Sequence, residues 1–352
     1  MKNIIIALML LTVPALAAAM SGHDQVQVAQ AYPRNEVIEK RLETLETQQA
    51  ELYHTLAEKK SAGLAEKITD KVSLSGLIEV EAGFADSESD LSLATAQLGF
   101  GMEISEHLGG DLILLFEEGE DFTVDEAAVN ISNDAWFSRI GLQYVPFGVF
   151  NSHFISDPLT LELGETQEVA ILGGYAGDLF ALSAFVFNGD AEKAGEDDRI
   201  RDWGASLTIT PLEGFEAGAS YLSDLADSDA GLLGEDPYAD RIAGYSAYAI
   251  YGFGPLELSG ELLGALEKSD DLGGLKPFTW NLELAYAAAE NVEVAAKVEG
   301  SDELPEAPEK RYGVAVAWSP VEHVTLAAEY LRAEFEEGDD DDVVTAQLAF
   351  EF

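Results

Sequence analysis

The sequence predicts an all-β protein: a transmembrane antiparallel β-barrel of about 16 strands, preceded by a short N-terminal α-helical coiled coil. Three observations lead there. Apolar residues recur at every second position through most of the chain after residue 70. The connections between these segments alternate short and long. The chain also ends VVTAQLAFEF, with Val344, Ala346, Leu348, Phe350 and Phe352 on one parity and Thr345, Gln347 and Glu351 on the other. That last stretch is a strand with one apolar face.

Composition narrows the setting. The 352 residues carry 66 acids against 19 bases, a formal charge of −47. Phosphate would repel such a chain, so a nucleic-acid partner is excluded. Disorder and a salt-adapted soluble protein are the plain readings of the charge. The regular apolar patterning argues against the first, and the placement of the charge against the second. There is no cysteine, hence no disulfide and no thiolate chemistry. The five histidines, His23, His54, His107, His153 and His323, are scattered, so neither a metal cage nor a cofactor is expected.

Taken in order, residues 1–19 read as a secretory signal: Lys2, an apolar run, then the small residues around Ala15–Ala19. No later stretch approaches ~20 consecutive apolar residues, so no membrane-spanning helix is expected. Residues 20–34 are a polar linker. Residues 35–68 form a helix whose seam runs Ile38, Leu42, Leu45, Gln49, Leu52, Leu56. Spacings of four and three make this a heptad, with Gln49 a polar break that sets oligomer state. It reads as a periplasmic coiled coil joining a homotrimer, or as a helix lying against its own domain.

Residues 70–352 form the barrel. Val72, Leu74, Ile78, Val80, Ala82 and Phe84 alternate with Ser73, Ser75, Glu79 and Glu81. Later segments repeat the rule; in one, Trp136, Ile140, Leu142 and Tyr144 oppose Arg139 and Gln143. Segments of this length suit tilted strands crossing a bilayer, apolar parity to lipid and polar parity to the lumen. The sheet must close, because every backbone group needs a partner in hydrocarbon. Phe350 and Phe352 are then expected in an aromatic girdle at the periplasmic rim.

The short connections include 132–134, 176–178, PLEG at 211–214, GFGP at 252–255, AEN at 289–291 and SPVEH at 319–323. The long ones hold most of the acids: 188–198, 223–240, 268–277, 301–310 and 336–342. Short turns at one rim and long polar loops at the other place the barrel in the outer membrane of a Gram-negative bacterium, against lipid and lipopolysaccharide. The aspartates near Gly338 read as a solvated charge run, with loose divalent bridging of lipopolysaccharide as a second reading.

One long connection departs from the rest. The stretch about 146–167 carries Phe147, Phe150, Phe154, Ile155, Leu159 and Leu161. Exposed, it would be an apolar liability. It is expected to fold into the barrel and narrow it, or else to extend its two strands above the membrane. The lumen parity supplies Glu79, Glu81, Glu117, Glu126, Glu216, Glu257, Glu261, Glu283, Glu293, Glu299 and Glu329, opposed by Arg139, Lys297 and Arg311. Carboxylates lining a narrow aqueous pore favour cations.

VDEAAVNI at 124–131, YVPFGVFNSHFISDPLTLELGET at 144–166 and FNGD at 187–190 resemble the LbtU-type outer-membrane siderophore porin family. The resemblance covers the central third and runs collinear, more weakly, through the remaining strands. It implies a channel for passive, TonB-independent uptake of a small solute, a ferric siderophore. It also implies ligand contacts at the matching loop residues Asn151, His153, Asp157, Glu162 and Glu165. A ferric chelate with free carboxylates would be repelled by the acidic lumen, so the cargo is neutral or cationic, or the three bases form a local track. The alternatives are a general cation-selective diffusion porin and an envelope anchor. An energised receptor needs about 22 strands and a plug, more than this chain supplies. Ser152 and His153 are neighbours, but the sequence has no GxSxG, HExxH or phosphate loop, so it is not read as an enzyme.

Overall fold

The computed structural model describes residues 71–352, apart from 86–87, 120, 196–198, 234–236, 337 and 339. The expected signal, linker and coiled coil at 1–68 lie outside the described residues. Sixteen strands follow one another: β1 Val72–Ala85, β2 Glu88–Ser105, β3 Leu108–Glu117, β4 Thr123–Asn133, β5 Trp136–Tyr144, β6 Gln167–Ala176, β7 Phe180–Phe187, β8 Asp202–Leu212, β9 Phe215–Leu222, β10 Gly244–Phe253, β11 Leu256–Ala265, β12 Phe278–Ala289, β13 Val292–Asp302, β14 Lys310–Val321, β15 Val324–Glu334 and β16 Asp341–Glu351. A six-residue helix, α1 (Leu159–Gly164), lies between β5 and β6.

Each strand pairs antiparallel with its neighbours, and β1 pairs β16, so the sheet closes into a barrel. Closure leaves no edge of unpaired N–H and C=O groups to face hydrocarbon. The seam register sets Ile78 opposite Phe350 and Val80 opposite Leu348. Apolar side chains therefore meet apolar side chains across the seam on the outer face. Gly76 and Phe352 complete it by exchanging backbone hydrogen bonds of 2.9 and 3.0 Å. The Phe352 ring lies over Gly76; a Cβ there would fall 2.3 Å from the ring.

The two parities separate as the sequence predicts. Leu74, Ile78, Phe84, Ile140, Leu258, Leu282, Leu284, Val314, Val316 and Leu348 are all exposed on the outer face. Glu79, Glu126, Glu216, Glu261, Glu283, Glu299 and Glu329 are buried on the inner one. Tyr144 keeps the parity of Ile140 and Leu142 in β5 and is half-buried; its hydroxyl donates to Asp125 (2.9 Å), which sits at a bulge in β4. At the rim holding both barrel ends, aromatic rings pair: Trp136 with the half-buried Tyr175 at 5.2 Å, and the exposed Tyr251 with Phe253 at 5.4 Å and Phe350 with Phe352 at 5.8 Å. Such rings suit a membrane–water interface, with one face in lipid and one edge wet.

Connections at this rim run two or three residues, as between β8 and β9 or β10 and β11. Gly214 and Gly254 take left-handed backbone there (φ +76° and +62°), as tight hairpin turns require. The opposite rim carries the long connections. The β1–β2 hairpin, with strands ending at Ala85 and starting at Glu88, is short although it lies on the long rim.

Candidate functional site

The β5–β6 connection, 145–166, folds into the barrel. Its neck is closed where the Val145 N–H donates to the Thr166 carbonyl (3.0 Å). From there it crosses to the wall made by β9–β15. Phe147, Phe150, Leu161 and Leu163 join one apolar cluster with Leu222, Leu225, Ile242 and Leu263. Phe154, further along, packs on Ala285, Ala295, Ala315 and Leu331. Those three alanines face each other across β12, β13 and β14 in register. Small side chains on the inner wall therefore make the seat for the Phe154 ring. Lys297 Nζ sits 4.7 Å from the centre of that ring, a cation–π contact.

A loop inside a barrel has no strand to pair with, so its N–H groups need other acceptors. The wall glutamates supply them. Glu261 accepts from Val149 N (2.8 Å) and Phe150 N (2.9 Å). Glu283 accepts from Ser152 Oγ (2.7 Å) and His153 N (2.8 Å). Glu329 accepts from Ile155 N (2.7 Å) and Ser156 N (3.1 Å), and Glu299 from Leu159 N (2.8 Å). An ionised carboxylate is an acceptor with two oxygens, so one glutamate satisfies two successive N–H groups. Sequence reasoning placed these side chains in the lumen but gave them to ion selection. Glu261 and Glu283 act first as anchors, buried under the loop. Ser156 and Thr160, which it passed over, add hydroxyl bonds to Glu329 and Glu261.

His153 marks the far end of the loop. Its Nδ1 lies 2.8 Å from Glu293 Oε1 and its Nε2 3.1 Å from Glu257 Oε1. Burial alone would lower its pKa, but hydrogen bonds and charge from Glu257 and Glu293 outweigh it and push the imidazole up to about 10. His153 is then an imidazolium that donates to both carboxylates. Asn151 donates to the same Glu257 (3.2 Å). Ser152 donates to Glu283 rather than to His153, so the pair forms no nucleophile–base couple.

The expected lumen bases are all engaged. Arg139 bonds Asp111 (3.0 Å) and Glu126. Arg311 bonds Glu299 (2.6 Å), Glu162 (3.2 Å) and the Asp157 carbonyl. Lys297 bonds Glu299 (3.1 Å) and the Ser156 carbonyl (3.3 Å). Glu165 is buried at the loop's return; burial, then Asp229 and Asp157, push its carboxyl up to about 9. Glu79 is buried in the wall, and Glu81 accepts from Gln347 Nε2 (2.9 Å). Solvent still reaches Glu162 and Glu293, whose side chains are 35% and 28% exposed, and Glu257 at 18%. Their partners Arg311 and His153 reach water less, at 14% and 17%, so three carboxylates meet solvent against two cations.

The chain shares this architecture with solved outer-membrane proteins. The anion-selective porin from Comamonas acidovorans is 14% identical, with a TM-score of 0.62 over 80% of this chain and 99% of that one. The trimer form of OmpT, an outer membrane protein of Vibrio cholerae, is 12% identical, with a TM-score of 0.57 over 80% and 99%. At these identities the likeness is one of fold. Among relatives by sequence, a UPF0422 protein of Coxiella burnetii is 23% identical over 266 residues, 67% of this chain. That match spans 57% of the relative's length, so the chain covers little more than half of it. The model of the Gram-negative porin family matches residues 47–352, nearly the whole chain, and the protein belongs to that family.

Proposed function

We propose that this porin is a passive, TonB-independent channel for small neutral or cationic solutes, with a neutral or cationic ferric siderophore as its cargo. The carrying observation is the charge balance at the constriction. Arg139 and Lys297 are buried against carboxylates, whereas the groups that reach water are Glu162, Glu257 and Glu293 with their partners Arg311 and His153, three negative charges to two positive. A fixed negative field in a narrow aqueous lane raises local cation concentration and repels anions. The siderophore class comes from the resemblance of 124–131, 144–166 and 187–190. The loop residues Asn151, His153, Asp157, Glu162 and Glu165 belong to the same proposal. Of these, Glu162 keeps a carboxylate 35% exposed to the lumen water.

Planar-bilayer recording across a KCl gradient tests the sign. A reversal potential on the cation side is expected; an anion-side value rejects the proposal. Ferric chelates of matched size but opposite charge then test the cargo. Cationic chelates are expected to block or permeate and anionic ones to do neither. Cation selectivity without any chelate effect favours the second reading, a general cation-selective porin. A homotrimer, held partly by the 35–68 heptad, completes the proposal. Loss of 35–67 is expected to lower the number of copies in the assembly, read by native mass; an unchanged copy number rejects that role for the heptad.

A further inference from the structure

Three aspartates outside the constriction meet at the long-loop mouth. Asp202 heads β8, and Asp224 and Asp227 lie in the β9–β10 connection, where Leu225–Asp227 forms a 3-10 turn. All three are buried, and one carboxylate oxygen from each lies within 4.8 Å of the others. Two oxygens on opposite sides of a calcium ion lie about 5 Å apart, because each bond is about 2.3–2.6 Å. The spacing therefore fits one shared ion.

Asp227 supplies an independent indication. It is 8% exposed, and its Oδ1 accepts from Ala191 N (3.1 Å). Its Oδ2 is shut away from solvent with no hydrogen-bond partner. A buried carboxylate oxygen left without a donor is costly unless a cation faces it or the group takes a proton. Arg241 contributes one charge: its Nε is 2.9 Å from Asp202 Oδ1 and 3.7 Å from Asp224 Oδ2. Among the described contacts, one guanidinium faces the cluster of three carboxylates. The remaining oxygens are organised around it. Asp224 Oδ1 accepts from Ala226 N (3.2 Å) and Ile242 N (3.0 Å), and its Oδ2 accepts from the Tyr238 hydroxyl. Gly189 of the FNGD turn gives way to the same site, since a Cβ there would fall 2.1 Å from Asp227 Oδ1.

We propose that Asp202, Asp224 and Asp227 bind a hard divalent cation, calcium by preference, at the outer mouth of the barrel. All-oxygen anionic ligands select calcium or magnesium over softer metals, and an irregular loop site favours the larger ion. The ion ties the β7–β8 and β9–β10 connections to the wall. Between two of its ligands, Leu225 packs in the apolar cluster that holds Phe147 and Leu163. Asp229 N donates to the Glu165 carbonyl (2.8 Å), so the tied connection also holds the returning end of the inward loop.

Terbium is the probe, because the Tyr238 hydroxyl lies on Asp224 and its ring can sensitise a lanthanide bound there. Full-length protein in detergent, stripped with a chelator, is titrated with terbium under tyrosine excitation. Saturable emission that calcium displaces is expected. Asp227→Asn and Asp202→Asn are each expected to weaken binding about tenfold or more, since affinity follows ligand charge. The Asp340→Asn, Asp342→Asn double variant at the exposed acidic start of β16 is expected to bind as the wild type does. Absence of saturable emission from the wild type overturns the site. So does wild-type affinity in Asp227→Asn, or in Asp202→Asn should the first variant fail to fold.

Discussion

His153 holds two carboxylates with one ring, and its protonation sets the strength of that hold. Its folded pKa, pushed up to about 10, stands above the unfolded value of about 6.5. A group shifted this way stabilises the fold fully below about 6.5 and loses its contribution as pH rises through about 10. Glu165, raised to about 9, shifts in the same sense: its folded form prefers the proton, so ionisation from about 4.5 upward also weakens the fold. Both groups make the inward loop looser in alkali. Single-channel conductance and noise are expected to rise between about pH 8 and 10.5, and His153→Gln is expected to flatten that rise. Phe154 tests packing rather than charge. Phe154→Ala removes a ring seated on Ala285, Ala295 and Ala315, and a loss of about 3–5 kcal/mol is expected. The loss falls on the loop, so faster hydrogen exchange at 147–157 with unchanged exchange in the strands is the expected result.

Among the elements, strands were legible in the sequence and the loop's attachments were not. A two-residue period states directly which side chains meet lipid, because a wrong register would turn Leu74 or Leu348 inward. The inward path of 145–166 was legible from Phe147, Phe150 and Phe154, which no water-exposed loop would carry. Its anchors were hidden, since Glu261 and Glu283 read the same whether they face water or an N–H group. The Tyr144–Asp125 bond was hidden because the β4 bulge at Asp125 cannot be seen in a parity count. Asp202, Asp224 and Asp227 went unnoticed because their sequence spacing matches no metal-binding motif. Replacing 147–164 by a short Gly-Ser linker is expected to leave the barrel intact and raise conductance several-fold, with weaker selectivity. An unchanged conductance would show that the loop does not set the pore. Gly76→Val drives a side chain into the Phe352 ring, and a stability loss of about 1–3 kcal/mol is expected, read as a lower unfolding temperature of the heat-modifiable barrel band.

For the whole molecule, selectivity belongs to the balance of the lumen rather than to one residue. Glu162→Gln, Glu257→Gln and Glu293→Gln together are expected to shift the reversal potential towards zero, and raised salt is expected to do the same by screening. Glu257 and Glu293 also hold His153, so the triple variant should gain conductance as it loses selectivity. A second consequence concerns the order of events during biogenesis. The inward loop leaves β5 early in the chain, yet its acceptors sit on β11, β12, β13 and β15, roughly 100 to 170 positions later. Such distant contacts form last, after the intervening polypeptide has found its place. A half-built cylinder is then expected to hold an oily, untethered arm. The gateway narrows only when the final hairpins arrive, so its tightness itself reports that construction is complete.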